Sequence, residues 1–209
     1  MKKFFTLSLL LATAISASSA NGVNILRPSE KAGGFMASGI STNGEYVCGN
    51  SSVWNVSTGE VVTAEDSNVV FESISNTGIA VGNALDYAVS MDLKGNLTYL
   101  DDMASGTFST ARGISGDGKI IVGSRFDDAY HQIPCYWEEG TYQPLPLPDK
   151  YEDMPDVVEV YSVAAVSINE DGSVIAGNVI TGTGAEAVIM WTRNEEGEYE
   201  FHPLYSGMM

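Results

Sequence analysis

Four times along the chain one short phrase returns: a small residue, Ile, Ser or Asn, a turn ending in Gly, a hydrophobic run, and a second Gly. The copies are Gly39-Ile40-Ser41-Thr42-Asn43-Gly44 to Gly49, Ser73-Ile74-Ser75-Asn76-Thr77-Gly78 to Gly82, Gly113-Ile114-Ser115-Gly116-Asp117-Gly118 to Gly123, and Ser167-Ile168-Asn169-Glu170-Asp171-Gly172 to Gly177. In each, the Ile lies four residues before the turn Gly, and the two glycines are five apart in all but the second copy. Self-similarity at this period makes the chain an array of like supersecondary units, each burying its apolar faces against its neighbours.

The third copy reads as four strands. Ala111 to Ser115 leads through Asp117-Gly118, a type I′ hairpin signal, into Lys119 to Gly123. Ile133 to Glu138 carries Trp137, and Gly140 turns the chain into Thr141 to Leu147. The fourth copy repeats the layout with Trp191, and the second Gly precedes the Trp by 14 residues in both. Trp54 and Met91 hold the corresponding place in the shorter first and second copies. No stretch past the leader has sustained helical periodicity. Short antiparallel strands, glycine turns and a recurring aromatic predict an all-β, β-propeller-like array of about four four-stranded blades, as a ring or as an incomplete one. The repeats span about 37–66, 71–103, 111–148 and 164–205 within a domain of 21–209. Val23 to Arg27 could add a strand to the last blade and so remove an open edge.

Residues 1–20 read as a secretory signal peptide. Lys2 and Lys3 precede an apolar run from Phe4 to Ile15, and Ser18-Ser19-Ala20 supplies small residues for cleavage. The run is too short for a membrane span. The expected location is therefore outside the cytoplasm: secreted, periplasmic or on the cell surface. The formal net charge of −17 argues against nucleic acid, where neutralising phosphate supplies most of the affinity. Cys48 and Cys135 are two cysteines in separate repeats, expected to be buried free thiols.

The pattern of small residue, Gly, Ile, Ser, x, Asp or Asn, Gly, x, x, Val or Ile, x, Gly, followed by a Trp strand and a Leu-bearing strand, resembles the HAF-type extracellular repeat. The likeness covers about residues 37 to 205. It implies a bacterial secreted protein with a propeller-like fold, and it brings no catalytic motif.

In an antiparallel blade the first and third turns share one end, and the second turn and the exit share the other. The first set is tight throughout. The irregular chain gathers in the second, so that end is the expected site. It offers Arg125, Phe126, Asp127, Asp128, Tyr130 and His131 in one loop, and Tyr151, Glu152 and Asp153 in another. Carboxylates beside aromatics suit a sugar or a Ca²⁺ site, and the preferred reading is a non-catalytic protein that binds a protein or glycan through this face. A carbohydrate-active enzyme built on the same acidic residues is the alternative, needing two carboxylates about 5 to 9.5 Å apart. No metal or other cofactor is expected: Asp117 and Asp171 belong to turns that favour Asp-Gly for its backbone angles, and His131 and His202 lack a zinc spacing. There is no Gly-x-Ser-x-Gly elbow and no phosphate loop.

Overall fold

A computed structural model describes residues 35–105, 107–128, 131–147, 160–181 and 186–204. The signal-peptide and Val23–Arg27 readings, and Tyr130, Tyr151, Glu152 and Asp153 among the site residues, lie outside them.

The described chain is all-β, with four four-stranded antiparallel sheets in simple nearest-neighbour order. The first holds β1 (Gly39–Ile40), β2 (Tyr46–Gly49), β3 (Ser52–Asn55) and β4 (Val61–Thr63). The second holds β5 (Val69–Ile74), β6 (Ala80–Ala84), β7 (Tyr87–Met91) and β8 (Leu97–Tyr99). The third holds β9 (Ser109–Ile114), β10 (Ile120–Phe126), β11 (Gln132–Glu138) and β12 (Thr141–Pro144). The fourth holds β13 (Val160–Ile168), β14 (Val174–Thr181), β15 (Glu186–Arg193) and β16 (Tyr199–Leu204). Their first strands converge, with β1 against β5, β5 against β9 and β9 against β13. These are the inner strands of a propeller-like array.

Each letter of the repeated phrase has a physical task. The Ser or Asn closes the first turn twice over. Its backbone N–H donates to the carbonyl of a residue at or just before the start of the returning strand, at 2.9 Å for Ser41 to Tyr46, 3.0 Å for Ser75 to Ile79, 2.9 Å for Ser115 to Ile120 and 3.0 Å for Asn169 to Val174. Its side-chain oxygen accepts the N–H of the same residue, at 2.9 to 3.0 Å. The turn itself differs from the expected type I′. Gly118 has φ +82°, but Asp117 is not in the left-handed region, and the Gly118 N–H donates to Ser115 O at 3.0 Å. This is a type I turn closed by a left-handed glycine. The Asp117 carboxylate accepts from Ser115 Oγ at 2.7 Å and Lys119 N at 3.0 Å, which favours the right-handed conformation there. The two-residue turn with positive φ at both positions occurs instead at Glu139-Gly140.

The second glycine makes room for a bulge. In the inner strands, Glu72, Arg112 and Val166 are extra residues without an opposite partner, flanked by a register shift. Ser38 holds the matching place just before β1. The bulge drives a backbone carbonyl onto the neighbouring strand. A Cβ on Gly49, Gly82, Gly123 or Gly177 would stand 1.8, 2.0, 1.8 and 2.4 Å from the carbonyl oxygens of Met36, Val70, Thr110 and Ala164. No side chain fits at that distance.

The Trp strand supplies the packing between sheets. Trp54, Met91, Trp137 and Trp191 lie opposite Val47, Ala80, Ile121 and Ile175, the same register in every sheet. Met91 packs with Cys48 and Val53 of the first sheet, Trp137 with Val81 and Ala88 of the second, and Trp191 with Ile120, Val122 and Leu145 of the third. Each large side chain thus fills the gap toward the preceding sheet. The indole N–H groups reach the chain leaving that sheet: Trp137 Nε1 donates to Asp101 Oδ1 at 3.1 Å, and Trp191 Nε1 to Pro146 O at 2.7 Å. Cys48 and Cys135 are buried free thiols in separate clusters.

Candidate functional site

At one end of the array the first turns are hydrogen-bonded from sheet to sheet. Asn43 N donates to Asn76 Oδ1 at 2.9 Å, Asn76 N to Gly116 O at 2.9 Å, and Gly116 N to Glu170 O at 2.8 Å. The long Glu170 side chain also accepts from Asn76 Nδ2 at 3.0 Å, spanning the third sheet. With its backbone groups spent on neighbours, this end is braced. The opposite end carries the links between second and third strands and the exits of the sheets.

The loop expected between Ser124 and Gln132 is shorter than the sequence implied. Arg125 and Phe126 belong to β10, paired with Ile133 and Gln132 of β11. Extending the ladder satisfies backbone groups that a loop would leave to water. Arg125 is drawn inward by a buried carboxylate. Its Nε donates to Asp101 Oδ1 at 3.0 Å, its Nη2 pairs with the same oxygen, and its guanidinium lies 3.5 Å from the centre of the Tyr142 ring. The Asp101 side chain is 1% exposed. Burial pushes its carboxyl up, but hydrogen bonds from Arg125 and Trp137 together with the Arg125 charge hold it below the usual carboxylate range. Arg125 therefore joins the second sheet's exit to the third sheet.

Of the other expected residues, Phe126 is half-buried, with its N–H on Phe108 O at 3.0 Å. Asp127 is turned onto its own loop, accepting from His131 N at 2.8 Å and facing His131 Nδ1 at 3.1 Å. Asp128 is exposed at the turn. Asp127 and His131 thus form one local unit, with Arg125 withdrawn from them. Among the described residues, no group of three His, Cys, Asp or Glu is placed to hold a metal ion.

A different constellation lies beside these residues. A cleft of about 230 Å³ is lined by Arg112 and Gln132 of the third sheet and by Ser162, Ala164, Val166, Asn178 and Ile180 of the fourth. Gln132 opens β11, Ser162 lies near the start of β13 and Ile180 near the end of β14, so the cleft belongs to the loop-bearing end. Ser162 Oγ donates to Gln132 Oε1 at 2.7 Å, which leaves the Gln132 amide N–H groups free to donate. Arg112 is the bulge residue of β9 and is exposed. Among the described residues it has no ion-pair partner, whereas Lys119, Arg125 and Arg193 each have one. The cleft therefore presents a guanidinium and two amides over an apolar floor of Ala164, Val166 and Ile180.

Sequence reasoning had no hold on this cleft, because its members come from separate repeats. One signal was available. The position two before the repeated Ile reads Ser38, Glu72, Arg112 and Val166, a place whose chemistry varies within an otherwise constant phrase.

No family model matches the sequence, and no curated protein matches it either. Among solved structures, the chain is similar to the crystal structure of TolB from Acinetobacter baumannii, at 14% identity and a TM-score of 0.50, over 81% of this chain and 43% of that one. The chain thus spans less than half the length of that TolB chain. At this identity the likeness concerns the fold alone, and the fold is that of a β-propeller. Among the described residues, no helix is long and apolar enough to cross a membrane.

Proposed function

We propose that this is an extracytoplasmic propeller-like binding protein of the HAF-repeat type, which takes a carboxylate-bearing protein or carbohydrate ligand at its loop-bearing end. The observation that carries the reading is Arg112, an unpaired guanidinium raised by a bulge into a cleft in a protein of net charge −17. A fixed planar fork with free amides beside it matches a carboxylate through two parallel hydrogen bonds. The apolar floor accommodates the body of a sugar ring or a side chain. At about 230 Å³ the cleft lies below the usual range for a drug-sized ligand, about 300 to 1,000 Å³. It is sized for one residue of a larger ligand, with the surrounding loops taking the remainder. The basic start, apolar run and small residues of 1–20, together with the resemblance of the repeats, support the extracytoplasmic assignment.

The test is a titration of the purified chain against uronate-containing oligosaccharides and acidic peptides, beside their neutral counterparts. Carboxylate ligands should bind, and Arg112→Gln should weaken them at least about tenfold, since a hydrogen bond to a charged group contributes about 1.5 to 3 kcal/mol. Equal binding of neutral and acidic ligands, or full affinity in Arg112→Gln, would remove the cleft from the reading. Turnover of a glycan lost in Asp127→Asn would return the enzyme alternative. Cleavage of a reporter fusion between Ala20 and Asn21, with export of the product, tests the address separately.

A further inference from the structure

We propose that the cleft takes the C-terminal residue of a protein partner, its α-carboxylate on Arg112 and an apolar side chain against Ala164, Val166 and Ile180. The inference rests on the reading of this cleft as a carboxylate site, and names the kind of molecule that supplies the carboxylate.

The register of the fourth sheet sets the layout. Ser162 lies opposite Ile180, and Ala164 lies opposite Asn178. Residues two apart on a strand share a face, so these four side chains form one patch. Val166, unpaired at a register shift, continues the lining along β13. Arg112 and Gln132 border it from the third sheet. Ile180 is 38% exposed and Asn178 is exposed, so the patch offers apolar surface with an amide set within it.

The balance of donors and acceptors selects among carboxylate ligands. Ser162 Oγ already donates to Gln132 Oε1. What remains is the guanidinium, the two Gln132 N–H donors, and the Asn178 amide, which both donates and accepts. Such a set suits a ligand with many acceptors and few donors. The end of a peptide is one: its carboxylate and preceding carbonyl accept, and its last N–H donates, here to Asn178 Oδ1. A uronate brings several hydroxyls, each with a proton to place, and a buried donor without an acceptor is costly. The lining also holds no aromatic ring on which a sugar could stack.

An aspartate or glutamate within a chain fits less well. Its carboxylate carries little apolar body, and its backbone leaves in both directions. A cleft of about 230 Å³ admits a terminal residue end-on, with chain on one side only. No lining residue is acidic, so no adjacent carboxylate repels the incoming one. Capture of a terminal carboxylate is a recurring mode of peptide recognition.

An NMR titration of the full chain, followed on the side-chain amides of Gln132 and Asn178, tests this. The probes are acetyl-Ala-Ala-Leu with a free carboxylate, its C-terminal amide, acetyl-Ala-Glu-Ala amide, and trigalacturonate. The free acid should bind most tightly, and the amide should be weaker by at least about tenfold, since it lacks the charged partner of Arg112. Ending the peptide in glycine instead of leucine should weaken it by about tenfold, the effect of burying that side chain. Ile180→Ala should shrink this preference for leucine. Arg112→Lys keeps the charge but loses the planar fork, and should weaken the free acid. Backbone amide spectra like those of the wild type confirm that each variant is folded. Trigalacturonate or the internal glutamate binding as tightly as the free acid overturns the inference and leaves the carboxylate site standing. So does a glycine-ended peptide that binds as well as the leucine-ended one. Equal binding of the free acid and its amide, or binding of none of the probes, overturns both.

Discussion

At the scale of single residues, each repeat holds two kinds of glycine with different reasons to exist. Gly140 needs its left-handed φ of +79° but has open space where a Cβ would stand. Gly123 has ordinary dihedrals, yet a Cβ there would lie 1.8 Å from Thr110 O, a backbone atom locked into the bulge. The two should therefore respond differently to alanine. Gly140→Ala should cost about 1 kcal/mol, the price of a strained φ. Gly123→Ala should cost about 3 kcal/mol or more, because the bulge must be expelled and Arg112 re-aimed. Urea denaturation of the two variants measures this, and a Gly123→Ala protein as stable as Gly140→Ala would mean that the bulge yields freely.

At the scale of elements, adjacent sheets are held by apolar clusters with an ion pair across each of the later two junctions. Asp101 and Arg125 join the second and third sheets, and Glu138 accepts from Arg193 Nη2 at 2.8 and 2.9 Å across the third and fourth. Both Arg193 and Glu138 are partly exposed, and an exposed pair contributes little. The Asp101 pair is the consequential one. Removing one member of a buried pair leaves its partner uncompensated, so Asp101→Asn should cost about 3 kcal/mol or more. The pH dependence has a definite sign. The folded-state carboxyl lies below its ordinary value of about 3.9, so its stabilisation is complete at neutral pH and is lost as pH falls below about 4. Unfolding free energies between pH 3 and 7 should fall in acid more steeply for the wild type than for Asp101→Asn. Parallel curves would show that the pair carries no such linkage.

At the scale of the whole molecule, the two thiols report on separate junctions. Cys48 lies between the first and second sheets and Cys135 between the second and third. Burial pushes the Cys48 thiol up to about 11 and raises Cys135 further. Neither should react with an aromatic disulfide reagent at neutral pH except through opening of its junction. If the array unfolds as a unit, Cys48→Ser and Cys135→Ser proteins should be labelled at the same rate across denaturant concentrations. Stacked repeats contact only their neighbours, so a faster rate for Cys135 in the Cys48→Ser protein would instead reveal opening of one junction alone.

The sequence by itself determined the unit and its count. Ile, Ser or Asn, the turn Gly, the second Gly and the Trp recur at constant spacing, and each proved to answer a local demand: a face to bury, a turn to close, a bulge to admit, a gap to fill. Such demands are written within one repeat, so a linear reading recovers them. The same reading missed the type I turn at Asp117, where a side chain tipped the choice between two backbone solutions. It also took Arg125 for a loop residue. What drew Arg125 into the strand ladder is Asp101, 24 residues earlier and at the exit of another sheet, and no spacing announces that pairing. The cleft under Arg112 is likewise a product of tertiary structure. It depends on which strands are brought side by side, and four nearly identical phrases cannot say that of themselves.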